Sequence, residues 1–299
     1  VRTELPVFIK VDEIKELDAL VSLIDEPNED MFSQIRNKVL AYGNQAIPVL
    51  EEAWVNTLGD SDSVRIESLI EDIRINAMIS DYSYWKDEQD PKIIDGYLIL
   101  MKYINPKIDG DEFGLYFEKI FKEIWLELND NLTALEKIKV INHVLYSVNK
   151  VNTISKLPAK SDGFSLNNLT EKQNGNAYLL GTFYISIAQK LNIPVYGVDL
   201  PGHFILVYMD DVGKQKNISS YSGEDVMFYI NPANAGAVFT HNEVRHYINQ
   251  MNLKLMPDYF LPTSNVNIIS RIIKELITAY KLENNQSKLD GLQSLLAIS

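Results

Sequence analysis

Four short segments hold the residues of this chain whose types and order suit concerted chemistry. Gly175-Asn176-Ala177 opens a helical pattern, and Leu191-Asn192-Ile193-Pro194 ends it. Pro201-Gly202-His203-Phe204 then enters a strand pattern, and Tyr229-Ile230-Asn231-Pro232 ends another. This order suits a nucleophile, a base and an orienter. A nucleophile at a helix N-terminus is stabilised as an anion by the helix dipole and by free backbone N–H groups. A histidine on the adjacent strand takes its proton, and an Asp or Asn on the next strand fixes the imidazole. Yet the chain contains no cysteine, so a thiolate nucleophile, thiolate metal ligands and disulfides are all excluded.

The elements that must position these segments are mostly helices. Leu17, Leu20, Val21 and Ile24 recur at helical spacing and stop at Asp25-Glu26-Pro27. A second helix starts near Glu29 with Phe32, Ile35, Val39 and Leu40 on one face, and Gly43 stops it. A third begins at Ala46-Ile47-Pro48, where proline suits the first turn. These short helices and their proline turn form one HEAT-like unit. Helical patterns follow over about 62–82, 91–104, 112–128 and 132–149, with Asp60 or Ser61 expected to cap the first and Asp130 or Asn131 the last. Residues 150–174 read as a long connection. A helix over 177–191 precedes strands at Val195–Asp199, Phe204–Met209 and Val226–Ile230, with a polar excursion between the last two. Helices at about 241–251, 264–282 and 285–298 close the chain.

With those residues quoted, the middle of the chain resembles the transglutaminase-like superfamily, and within it the bacterial SirB-type branch. The features that match are Asn142-His143-Val144-Leu145-Tyr146, Gly175-Asn176, Leu191 to Gly197, Pro201-Gly202-His203-Phe204, and Asn231-Pro232 followed by Gly236. The early Leu23-Ile24-Asp25-Glu26-Pro27 and Gly43-to-Leu50 stretches resemble that branch's N-terminal helical region, and residues 60–130 match least.

The resemblance implies an α+β, predominantly helical fold. HEAT-like helices at the N-terminus would precede a transglutaminase/papain-like core of one helix on a small antiparallel sheet, and a C-terminal helical hairpin of tetratricopeptide-like type would follow. It divides the chain into 1–130, 131–256 and 257–299. It also puts the nucleophile slot on Ala177, whose methyl cannot attack a carbonyl, and puts Asn231 where transglutaminases carry Asp. The implied protein is a pseudoenzyme that binds a peptide, a protein or a small ligand in a regulatory or scaffold role. Its binding surface is then either the remnant cleft around Asn176, Ala177, Tyr178, His203 and Asn231 or a groove between N-terminal helices. The alternative is a hydrolase or acyl-transfer enzyme that uses His203 as general base on water.

Other candidates carry less. A phenol such as Tyr178, with an ordinary pKa of ~10, is a poor nucleophile at neutral pH, and Thr182 and Ser186 read as packing residues. His143 reads as a core or capping residue. His241 and His246 are five apart, about 140° around a helix, so they do not share the face that zinc-binding helices need. Asp81-Tyr82-Ser83-Tyr84-Trp85 reads either as a groove lining or as a core edge. No metal or cofactor is expected. The formal net charge of −13 repels phosphate backbones, and the most basic stretch, Lys150 to Lys160, has three lysines in eleven residues, so nucleic acid is not an expected partner. No apolar run is long enough to span a membrane, and Val1–Lys10 lacks the features of a secretory signal; a cytoplasmic protein is the expectation.

Overall fold

The computed structural model describes residues 11–57, 60–154, 160–210 and 218–299. Val1–Lys10 and residues 211–217 of the excursion between the last two expected strands lie outside them. Contacts divide the chain into two compact units, one up to Tyr84 and one from Trp85 on.

In the first unit, α1 (Val11–Val21), α2 (Glu29–Ala41), α3 (Ile47–Asn56) and the greater part of α4 (Asp60–Lys86) surround one apolar cluster. Leu17, Val39 and Leu50 are fully enclosed in it, each burial contributing roughly 1.5–3 kcal/mol. Local chemistry sets the helix ends. Asn28 caps α2 by accepting from Asp30 N and Met31 N, Gly43 turns the chain at φ +58°, and proline lies in the first turn of α3. The side chain of Asp60, expected to cap α4, lies outside the described residues.

The second unit is built around α9 (Ala177–Lys190). Every residue from Tyr178 to Ala188 is buried, as befits a helix apolar on all sides. α5 (Ile93–Ile104), α6 (Gly110–Glu127), α7 (Ala134–Asn142) and α8 (Leu166–Lys172) precede it, with β1 (Asn152–Thr153) pairing parallel to β2 (Asn174–Gly175). An antiparallel sheet follows in the order β3 (Val195–Leu200), β4 (His203–Met209), β5 (Val226–Asn231), β6 (Ala237–Phe239). α10 (His241–Gln250) covers one face of it. α11 (Asn265–Leu282) and α12 (Gln286–Ile298) form the expected C-terminal hairpin. The expected α+β, predominantly helical fold is therefore the observed one.

Four local expectations change. Thr133, not Asp130 or Asn131, caps α7: its hydroxyl accepts from Glu136 N while the Glu136 carboxylate accepts from Thr133 N, a reciprocal capping box. Residues 150–174 hold β1, α8 and β2, elements too short to leave a periodic signal. β6 is a three-residue strand that was not expected. Of the two readings of His143, the core one fails, for it is exposed, and the capping one matches its place as the C-cap residue of α7, its backbone N–H donating to Lys139 O and Val140 O.

Candidate functional site

The sheet has two covered faces, and their assignment decides the site. On one face Val198, Leu200, Ile205, Val207 and Tyr229 cluster with Val244 and Ile248 of α10. On the other, Phe204 lies against Gly181 and Tyr178 of α9, and Gly197 lies under Ile268 of α11. Side chains alternate along a strand. Leu200 pairs with His203 across the β3–β4 hairpin, so His203 belongs to the α10 face. The turn between them is Pro201-Gly202, with Gly202 at φ +75°, which suits a type II turn.

His203 is exposed. Its ring stacks on Tyr247 of α10 at 4.5 Å between centroids and 19° between planes, and its Nδ1 lies 2.7 Å from the Gly202 carbonyl. A carbonyl only accepts, so neutral His203 carries its proton on Nδ1 and leaves Nε2 as the basic nitrogen. The Tyr247 hydroxyl donates to the Pro201 carbonyl at 3.0 Å, which holds the hairpin turn beside the stack.

Asn231 ends β5, half-buried, and its Oδ1 accepts from Ala233 N at 3.0 Å, capping a short 3-10 turn at Pro232–Asn234. No hydrogen bond joins His203 to Asn231 among the described residues. The turn after Asn231 is instead tied to the motif at the end of α7. Tyr146 Oη donates to Pro232 O at 2.9 Å. Asn142 donates through Nδ2 to Gly236 O at 2.7 Å and accepts through Oδ1 from the Tyr184 hydroxyl at 3.0 Å. Two motifs about ninety residues apart thus meet against the flank of α9.

Ala177, the first residue of α9, is half-buried. Asn176 caps the helix, its Oδ1 accepting from Leu179 N at 2.9 Å, while its backbone N–H donates to Gly163 O at 3.0 Å. Asn176 Nδ2 is buried without a partner and lies against Gly163, where a Cβ would approach it to 3.5 Å. Tyr178 is sandwiched between Phe164 and Phe204, at 5.8 and 5.3 Å between centroids. The Arg271 guanidinium stands 5.7 Å from the centre of the Tyr178 ring and pairs with Asp199. Burial pushes the Tyr178 phenol well above its ordinary pKa; Arg271 opposes this and Glu275 adds to it. The phenol is therefore protonated at neutral pH and is no nucleophile. Thr182 and Ser186 are buried, and Ser186 Oγ donates back to Thr182 O at 2.6 Å.

Phe164, Phe204, Tyr247, Asp199 and Arg271 were not singled out as site residues in the sequence. For Phe204 no signal was there to find, because Phe204-Ile205-Leu206-Val207-Tyr208 is apolar on both faces of β4 and alternation cannot say which face meets α9. Away from this region, His241 stacks on Phe260 at 4.3 Å and approaches Arg245, whereas His246 pairs with Gln250 at 2.9 Å. No group of three metal-ligating side chains is present among the described residues, and no helix there is long and apolar enough to cross a membrane.

No curated protein and no solved structure matches this chain. The profile of the Transglutaminase-like superfamily matches residues 113–274, from Phe113 in α6 to Lys274 in α11. That span is more than half of the 299 residues and contains α9, the sheet and every segment of the site. The chain belongs to the transglutaminase-like superfamily.

Proposed function

We propose that this protein is a non-catalytic member of the superfamily, of SirB type and cytoplasmic in bacteria, that works by binding a peptide, a protein or a small ligand in a regulatory or scaffold role. One observation carries the reading: α9 begins with Ala177, and the residue of β4 that faces this helix is Phe204, while His203 faces α10. An apolar pair thus stands where chemistry would need a nucleophile and a base. The SirB-type reading is supported by Asn142 and Tyr146 bonding the Pro232–Gly236 turn, two of the motifs on which the resemblance rests. The partition into 1–130, 131–256 and 257–299 belongs to the same proposal.

The test uses the absence of any other thiol. In Ala177→Cys, the pH dependence of iodoacetamide alkylation should be the same with and without His203→Ala. Fast alkylation below about pH 6 that disappears in the double variant would show an imidazole serving the slot, against a free thiol at ~8.5, and would overturn the reading.

A second reading has one observation in its favour. His203 Nε2 is the unprotonated nitrogen of an exposed ring, so general-base activation of water by His203 is chemically available. It requires a turnover that His203→Ala abolishes and His203→Gln does not restore.

A further inference from the structure

We draw no further inference here: the strongest candidate, the apolar surface at the α6–α7 corner where Trp125, Leu126 and Leu135 are 60%, 74% and 40% exposed, carries nothing, because nothing in the structure shows what covers it.

Discussion

The Phe204 ring lies nearly flat on the Tyr178 ring, 5.3 Å between centroids and 27° between planes, with its other edge against the bare backbone of Gly181. This contact couples β4 to the first turn of α9 through apolar surface. It also fixes the strand's facing. If Phe204 points at α9, His203 must point the other way, and Tyr247 receives it there.

Gly181→Ala tests how tightly that contact is built. A Cβ at residue 181 would lie 2.2 Å from Phe204 Cε1, so the ring or the strand must shift. The expected cost is about 1–3 kcal/mol in urea unfolding, the usual range for overpacking a dense core. In the Phe204→Leu background the same substitution should cost clearly less, since the two residues share one space. Equal costs in both backgrounds would mean that the helix and strand do not meet through Phe204.

Gly236→Ala tests the junction between the two distant motifs. Gly236 sits at φ +69°, and a Cβ there would come within 1.9 Å of Asn142 Oδ1. Asn142 cannot swing away freely, because it is bonded both to Gly236 O and to the Tyr184 hydroxyl. A loss of about 2–4 kcal/mol is expected, combining backbone strain with a broken, partly buried network. Gly114→Ala is the counterpart. It lies inside α6, with nothing within 4 Å of an added Cβ, so it should raise stability by up to ~1 kcal/mol through helix propensity alone.

What could be read from the sequence follows from the strength of each signal. α2, α3, α9 and α11 announce themselves by period, α3 also by Pro48 in its first turn, and their observed limits lie within a few residues of the expected ones. α8 and β6 do not, because seven and three residues are too few to establish a period. The segments of the site were legible as segments, and α9, β4 and β5 carry them as expected. Their mutual facing was not, since a strand buried on both sides gives no parity signal. Nor was the role of Arg271, which reaches Tyr178 from a helix nearly a hundred residues away in sequence.

His241 gives the fold a pH dependence of defined sign. Burial, and secondarily Arg245, lowers its pKa below the ordinary 6.5. A base with a depressed folded pKa binds fewer protons folded than unfolded. Its contribution is therefore fully present above the unfolded value of about 6.5 and is lost as pH falls below it. Melting temperature should drop between pH 7.5 and 5.5, and His241→Phe, which retains a ring to stack on Phe260, should flatten that part of the profile. A profile unchanged by the substitution would place the titrating group elsewhere.

The facing of β4 leads to a gain-of-function prediction. If the apolar pair at Ala177 and Phe204 is what silences this site, moving the imidazole by one residue along the strand should do what His203 does not. In Ala177→Cys/Phe204→His, the new ring points toward the N-terminal half of α9, where Phe204 meets Tyr178 and Gly181. An imidazolium beside the start of the helix favours a thiolate and is the one feature that Ala177→Cys alone lacks, so the thiol pKa should fall by about a unit or more from that of the single variant, toward the range of paired cysteines. The readout is the alkylation rate against pH, with His203→Ala added as a silent change. Identical profiles for Ala177→Cys with and without Phe204→His would mean that residue 204 does not reach the helix end.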